Sequence, residues 1–176
     1  MMRSFITVAV ALAIYKIAVA SPGDITSAAL TGAASVIDGD TIEIHGTRIR
    51  LWGIDAPEHD QLCRGEDSEQ YHCGARAANK LDEFIGSRPV TCEPKELDRY
   101  RRTVAVCSVA GEDMSAWLIS HGLALDWPKY SHGKYAGDQE KAKQAEQGLW
   151  SGSFVEPWNY RACRRAKGTI SVCSEP

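Results

Sequence analysis

The chain has 176 residues, 44% of them hydrophobic, and a formal net charge of −3. This length suits one domain with a real core and short extensions. The acidic balance excludes a protein that coats nucleic acid through bulk positive charge, although a local basic site is compatible with it. Arginines do cluster locally, at Arg48, Arg50, Arg99, Arg101 and Arg102.

The first twenty residues form a separate segment. Arg3 precedes an apolar run at 5–15, and the small residues at 18–20 fit a cleavage site before Ser21. This pattern predicts a secretory signal peptide over residues 1–20, whose removal lowers the formal net charge to −5. Lys16 interrupts the run and argues against a membrane-spanning helix, which needs about 20 apolar residues. We expect a secreted or periplasmic protein with no stable membrane association after signal cleavage; an uncleaved N-terminal anchor is the alternative.

The next part of the chain is predicted to be β-structure. Residues 21–31 contain Ser, Pro and Gly and predict a flexible lead-in before a first strand at about 32–37. Alternation of apolar and polar residues then predicts a hairpin with one buried face and a turn at 45–46. The side chains predicted to be buried are Ile42, Ile44, Ile49 and Leu51.

The following segments mix helices with a second hairpin. Residues 59–72 are polar and predict a loop. Apolar spacing, capping residues and glycines predict the remaining elements. These elements are a helix over 74–85 that ends at Gly86, strands at about 90–94 and 103–109, a helix capped by Asp113 that stops near Gly122, and a helix over 136–147 with Gly148 as C-cap.

Five strands with this order of helices predict an α+β fold: a five-stranded barrel of the OB type with three helices, over residues 32–151. Such barrels bind oligonucleotides on one face. Residues 152–176 form a locally basic C-terminal extension. We favour a solvated, disulfide-closed extension over a substrate-binding arm.

Six cysteines support export. An even count without a C-x-x-C motif favours disulfides over zinc in an exported chain. Spacing suggests three pairs, although six cysteines allow fifteen pairings. The second pair has the best support, because its cysteines lie symmetrically about the turn of the second hairpin. The suggested pairs are Cys63 with Cys73, Cys92 with Cys107, and Cys163 with Cys173.

Acidic residues lie at both ends of the central hairpin. Asp40 precedes its first strand, and Asp55 and Glu58 follow its second strand. Because a hairpin returns the chain to its start, Asp40 and Asp55 come close together, with Arg50 on a strand between them. Three carboxylates and a guanidinium suit a hard cation and an anionic phosphate. Taken singly, each acidic motif is more often a turn or a strand end.

Taken together, these motifs resemble the active-site hairpin of the thermonuclease, or staphylococcal-nuclease-like, family. The resemblance covers about residues 33–151. Its motifs are Val36-Ile37-Asp38-Gly39-Asp40-Thr41, Arg50-Leu51-x-Gly53-Ile54-Asp55-Ala56-Pro57-Glu58 and Asp98-Arg99-Tyr100-Arg101-Arg102-Thr103.

The resemblance implies a catalytic centre with a bound Ca²⁺. In it, Glu58 would orient or deprotonate the attacking water as general base. Arg50 and Arg102 would clamp the phosphate, where a planar fork outperforms an ammonium group. The implied oxygen ligands of the ion are Asp40, Asp55 and the backbone carbonyl of Ala56.

The resemblance also implies substrate contacts. Arg99 and Tyr100 match positions that contact a terminal phosphate, although the first is usually Lys. Trp127 and Tyr130 lie where the family places aromatic residues that stack on or flank a base; packing against the final helix is their alternative role. Arg101 stands where Gly is common, so its Cβ could alter the turn.

The implied function is that of a secreted, monomeric, calcium-dependent nuclease. It would hydrolyse phosphodiester bonds of DNA and RNA and leave 3′-phosphates. The main alternative is a non-catalytic OB-fold module that binds nucleic acid or a partner. A third interpretation is a structural, disulfide-rich exported domain, but it does not explain the carboxylates at the ends of the central hairpin. The presence of every implied catalytic and metal-binding side chain favours the enzyme.

Overall fold

The computed structural model describes residues 28–176, so the predicted signal peptide and most of the lead-in lie outside the described residues. The strands in this part of the chain are β1 (Leu30–Gly32), β2 (Ala34–Asp38), β3 (Thr41–Ile44), β4 (Thr47–Leu51), β5 (Ile54–Asp55), β6 (Leu62–Arg64), β7 (Gln70–His72), β8 (Val90–Leu97), β9 (Thr103–Val109), β10 (Glu112–Asp113) and β11 (Leu125–Asp126). The helices are α1 (Cys73–Ile85), α2 (Met114–Ser120), α3 (Pro128–Ser131), α4 (Ala136–Gln144), α5 (Pro157–Arg165), α6 (Ile170–Cys173) and a 3-10 helix at Gly148–Ser151.

The predicted α+β class is confirmed, but the main sheet has seven strands rather than five. Its order is β1-β8-β9-β4-β3-β2, with β10 beside β9. One extra strand arises because Ala33 divides the first predicted strand into β1 and β2, which pair with β8 and β3 respectively. The other is the short β10, which extends the pairing of β9. Leu30 and Thr31, predicted as lead-in, already pair with β8.

The predicted buried face of the central hairpin is confirmed. Its four apolar side chains are at most 1% exposed and pack in one cluster with the apolar face of α1. A one-residue slip of either strand would turn these side chains toward solvent, so their burial fixes the hairpin register. That register in turn sets the positions of the acidic residues at the hairpin ends. The cluster includes Ile42, Ile44, Ile49, Leu51, Ala77, Leu81 and Ile85.

Two of the three predicted helices have the expected ends. Gly86 terminates α1 with a φ of 55°, a conformation that favours glycine. The Asp113 side chain caps α2 by accepting hydrogen bonds from the amides of Ser115 and Ala116. The short α3 and the two helices of the extension, α5 and α6, were not predicted. No helix within residues 28–176 is long and apolar enough to cross a membrane.

The predicted C-cap of the last core helix is wrong. Helix α4 ends at Gln144, and Glu146 adopts the left-handed conformation with a φ of 51°. The amide of Gln147 donates to the carbonyl of Ala142, and that of Glu146 to Lys143, the two hydrogen bonds of a Schellman motif. Gly148 instead allows a close approach of two backbone segments, because a Cβ there would clash with the Gly122 carbonyl oxygen.

Residues 59–72 are more ordered than the predicted loop. Strands β6 and β7 form a small antiparallel hairpin in this segment, with Cys63 opposite Tyr71. The Cys63–Cys73 disulfide ties the hairpin to the first residue of α1. All three predicted disulfides are present, including Cys92–Cys107 across β8 and β9 and Cys163–Cys173 in the extension.

The Cys92–Cys107 disulfide is predicted to contribute about 2–4 kcal/mol to the free energy of unfolding, because it closes a loop in the unfolded chain. Urea denaturation of the Cys92→Ala/Cys107→Ala variant should show this loss against the wild type. Non-reducing peptide mapping of oxidised protein should recover the two cysteines in one linked pair. Recovery of both as free thiols would contradict the assignment.

Candidate active site

The central hairpin brings the predicted acidic residues together around Arg50. Thr41 pairs with Arg50 in the β3–β4 ladder, and the Leu51 amide donates to the Asp40 carbonyl. The Arg50 Nη2 lies 2.6 Å from Asp40 Oδ2 and 2.7 Å from Asp55 Oδ1. The predicted convergence of the two aspartates on the guanidinium is therefore confirmed.

Strand β11 fixes the position of Asp55 and brings Trp127 over the site. Leu125 pairs with Asp55, and the Trp127 amide donates to the Gly53 carbonyl at 2.9 Å. The guanidinium carbon of Arg50 lies 5.7 Å from the centre of the Trp127 ring. This distance is within the range of a cation–π interaction, which orients both side chains.

A second arginine, Arg161 in α5, reaches the same carboxylates from the C-terminal extension. Its Nη1 and Nη2 lie 2.9 and 2.6 Å from the two Asp55 oxygens, and Nη1 lies 2.7 Å from Glu58 Oε1. The Asp55 side chain is 0% exposed. A bidentate fork on a buried carboxylate is among the stronger hydrogen-bonded pairs in proteins. Arg161 is not among the site residues predicted from the sequence, because the sequence pattern indicates only that the extension is locally basic.

The extension packs on the domain and is not the solvated segment that the sequence favoured. The Tyr160 hydroxyl donates to Asp60 at 2.8 Å, and the side-chain amide of Gln61 donates to the Val155 carbonyl at 2.6 Å. The Leu62 amide donates to the Ser174 hydroxyl. Both Tyr160 and Gln61 are essentially buried. These contacts with residues 60–62 fix α5 beside Glu58 and Asp55.

Arg102, Arg99 and Tyr100 lie on the opposite side of the cleft, in the β8–β9 turn. Arg102 Nε donates to Asp98 at 2.7 Å, and the amides of Arg102 and Tyr100 donate to the same carboxylate. Within residues 28–176, Arg102 forms its ion pair with Asp98 and none with Asp40, Asp55 or Glu58. Arg101 has a φ of 64°, which explains why a glycine would suit this turn.

The cleft between these two sides has a volume of about 440 Å³. Its lining combines guanidinium groups with aromatic rings, the two groups that bind phosphates and bases. Tyr100 is 65% exposed and Tyr130 38% exposed, so neither serves mainly to fill the core. The lining includes Arg50, Arg99, Tyr100, Arg102, Trp127, Tyr130, Trp158, Arg161 and Arg165.

Burial and neighbouring carboxylates disfavour the charged form of an acidic residue at the β2–β3 turn. Burial raises the pKa of the Asp38 carboxyl to about 6, and the charges of Asp40 and Glu58 add to this rise. Burial disfavours the charged form of Arg161, but hydrogen bonds to Asp55 and Glu58 outweigh it and raise the arginine's pKa. Arg161 therefore stays charged, and its charge compensates the buried carboxylate.

The donor set fits a hard cation. Asp40, Asp55 and the backbone carbonyl of Ala56 offer oxygen ligands, the type that Ca²⁺ prefers. Within residues 28–176, no group of three or more His, Cys, Asp or Glu side chains converges in a geometry ready to hold a metal. Instead, both Asp55 oxygens accept hydrogen bonds from arginines. A cation that binds Asp55 must replace at least one of these bonds.

The sequence model of the family described as "Staphylococcal nuclease homologue" matches residues 48–152, more than half of the chain. The chain belongs to the staphylococcal nuclease family. The matched range contains Arg50, Asp55, Glu58 and Arg102 but neither Asp40 nor Arg161. The carboxylate site of this chain therefore includes two side chains outside the matched region, one before it and one after it.

Proteins similar in sequence to this chain carry different names. "Succinoglycan biosynthesis protein ExoI" of Rhizobium meliloti is 46% identical over 123 residues, 69% of this chain and 64% of that protein. "Protein ParB" of Escherichia coli is 32% identical over 179 residues, 90% of this chain and 93% of that protein. "Micrococcal nuclease" of Shigella flexneri is 31% identical over 143 residues, 72% of this chain and 76% of that protein. The match spans just under two thirds of the Rhizobium protein's length.

Arg161→Gln should lower the free energy of unfolding by about 1–3 kcal/mol, because a buried carboxylate loses its bidentate partner. Arg164→Gln is the matched control. Arg164 lies 3.8 Å from Asp60 in an exposed pair, so its loss should cost less than about 1 kcal/mol. Urea denaturation measures both variants, and equal small effects would show that the Arg161 contact adds nothing to stability.

Proposed function

We propose that the protein is a calcium-dependent nuclease that hydrolyses phosphodiester bonds of DNA and RNA and leaves 3′-phosphates. The observation that supports this proposal best is the convergence of Asp40, Asp55 and Glu58 with arginines at one end of a basic, aromatic cleft. Membership in the staphylococcal nuclease family agrees with it. The Shigella relative is itself named a micrococcal nuclease.

The proposed roles follow from the chemistry of each side chain. Asp40, Asp55 and the Ala56 carbonyl would hold Ca²⁺, which when bound supplies positive charge that stabilises the phosphate's developing negative charge. Glu58, about one third exposed at the cleft, would orient and deprotonate the attacking water. Arg50 would contact the phosphate from the floor of the site.

Arg102 would contact the same phosphate from the β8–β9 side. Arg50 pairs with Val104 in the parallel β4–β9 ladder. Side chains two positions apart on a strand share a face, so the position of Arg102, just before β9, supports its facing the cleft as Arg50 does. Its side chain is 30% exposed and would have to exchange its bond with Asp98 for the phosphate.

The aromatic residues would bind nucleotides next to the reacting phosphate. Trp127 and Tyr130 have ring centres 4.6 Å apart in an edge-on arrangement and would stack on or flank a base. Arg99 and Tyr100 would contact a terminal phosphate, and the Arg99 guanidinium lies 4.7 Å from the Tyr100 ring centre. The exposure of Tyr100 and Tyr130 supports this role over packing alone.

The wider proposals concern fold closure and location. We propose that the main sheet closes as an OB-type barrel. The strands at the two ends of its order, β1 and β2, are separated by Ala33 alone, which supports closure.

We further propose signal cleavage after Ala20, a monomeric secreted or periplasmic protein, and a nuclease domain over residues 32–151. Three disulfides support an oxidising compartment.

A non-catalytic module that binds nucleic acid is the second candidate. The ion pair between Glu58 and Arg161 favours it, because Glu58 Oε1 already accepts a hydrogen bond from the guanidinium instead of from a water. The nuclease is preferred because substrate phosphate and a cation give both arginines and carboxylates alternative partners. The two candidates differ in whether the protein hydrolyses a nucleic acid that it binds.

Glu58→Gln should lower the turnover number for DNA by at least about 10²-fold, because the variant lacks a general base but keeps the shape of the side chain. Calcium binding should persist, since Asp40 and Asp55 remain. Glu93→Gln is the matched control, because Glu93 is exposed on β8 outside the cleft. Near-normal turnover by Glu58→Gln in a DNA hydrolysis assay would exclude the proposed role.

Chelation should abolish hydrolysis of both DNA and RNA, and added Ca²⁺ should restore it. Zn²⁺ should not replace Ca²⁺, because the proposed ligands are hard oxygens without the nitrogen or sulfur donors that zinc favours. A gel assay on single-stranded DNA and RNA, with chelator and then each ion, measures this. Unchanged hydrolysis after exhaustive chelation would rule out the metal-dependent mechanism.

A further inference from the structure

Helix α5 directs three side chains into the proposed active-site cleft. Trp158, Arg161 and Arg165 are spaced three and four residues apart, so they lie on one face of the helix. All three line the cleft that contains Arg50 and Trp127. The C-terminal extension therefore provides one side of this cleft, opposite the β8–β9 turn.

The aromatic surface of the cleft continues from the nuclease domain onto the extension. The rings of Trp127 and Trp158 have centres 6.1 Å apart and planes inclined by 26°. Neither ring is fully buried. Two neighbouring and nearly parallel indoles at the cleft offer ring faces on which bases can stack, and stacking accepts any base because every base has a π-face.

The same helix face adds positive charge to a chain that is acidic overall. Arg161 lies 5.6 Å from the Trp127 ring centre, beside the carboxylates, and Arg165 lies one turn further along α5 with an exposed side chain. Its neighbour Arg164 does not line the cleft and instead donates to the Gly168 carbonyl. The positive charge of α5 is thus divided between a cleft face and a face that closes the extension.

The extension is held in place before any ligand binds. The Cys163–Cys173 disulfide joins α5 to α6, and Tyr160 is anchored to Asp60. Ser174 accepts a hydrogen bond from the Leu62 amide. A rigid surface loses little conformational entropy when a ligand binds, so its contacts contribute to affinity in full.

We propose that α5 is a substrate-binding arm for single-stranded nucleic acid. A base adjacent to the one on Trp127 stacks on Trp158, Arg165 contacts a backbone phosphate, and Arg161 faces the phosphate nearest the carboxylates. Unpaired strands are the substrate class because a base within a duplex does not offer its face to the indole. The proposal rests on the proposed nuclease function and assigns it a site outside residues 48–152.

Binding of a fluorescein-labelled single-stranded DNA of about 12 nucleotides tests the arm. The full mature chain with Glu58→Gln is used so that the strand is not cut, and fluorescence anisotropy gives Kd at several salt concentrations. Adding Arg165→Ala should raise Kd and lower the slope of log Kd against log salt by about 0.7, the value for one phosphate contact on a single strand. Lys167→Ala is the control: it removes the same charge from an exposed residue outside the cleft and should change neither quantity.

Trp158 is tested in the same assay. Trp158→Ala should raise Kd by about 5- to 100-fold, as expected for one lost base stack, whereas Trp158→Phe should stay close to the parent. Circular dichroism and mapping of Cys163–Cys173 check that α5 remains folded. The proposal that α5 binds substrate would be contradicted by two results together: equal Kd values and slopes for Arg165→Ala and Lys167→Ala, and unchanged binding by Trp158→Ala.

Together with a cleavage assay, the binding assay distinguishes failure of the proposed arm from failure of the proposed nuclease function. If the chain with Glu58 cleaves DNA but the arm variants bind as tightly as the parent, the arm is contradicted and the nuclease proposal stands. If the Glu58→Gln parent does not bind single-stranded DNA and the wild-type chain does not cleave it, both the arm and the nuclease are contradicted. Loss of affinity in the arm variants but not in Lys167→Ala supports the arm whatever the rate of cleavage.

Discussion

The buried carboxylate of Asp55 is the constraint on which the site depends. A charge without solvent needs hydrogen-bonded partners of opposite sign, or the fold loses several kcal/mol. Two arginines meet this need: Arg50, five residues earlier on the central hairpin, and Arg161, 106 residues later on α5. The first contact orders the hairpin ends, and the second draws the extension onto the domain. One buried charge thus links the core, the site and the C-terminal helix.

The charge balance at this point also suggests how the site responds to ligands. Asp40, Asp55 and Glu58 face two guanidinium groups, which leaves an excess of negative charge. A bound divalent cation would reverse that sign and free the arginines to meet an anionic phosphate. The ion pairs in the described structure therefore hold the reactive groups in place, and the same groups suit both the resting arrangement and the proposed reaction.

The extension changes how the family fold is used in this chain. The match to the staphylococcal nuclease family ends at residue 152, yet α5 contributes a wall of the cleft and a partner for Glu58. The extension is short, so its disulfide and its hydrogen bonds to residues 60–62 supply order that a core of its own could not. This C-terminal segment therefore directly contacts the proposed general base through Arg161.

The sequence by itself determined the features that depend on local pattern. Period-two alternation located the central hairpin, a capping aspartate and a glycine located the ends of α2 and α1, and symmetric spacing located Cys92–Cys107. The hairpin then implied that Asp40, Arg50 and Asp55 meet, because a hairpin's two ends are neighbours.

Tertiary structure alone decided the contacts between distant segments. Arg161 reaches Asp55 only because Tyr160 and Cys163 dock α5, and Arg102 stays with Asp98 because a local partner lies nearer than the carboxylates. Such contacts leave no periodic trace in the sequence, since they depend on where whole elements pack rather than on the spacing of residues within one element.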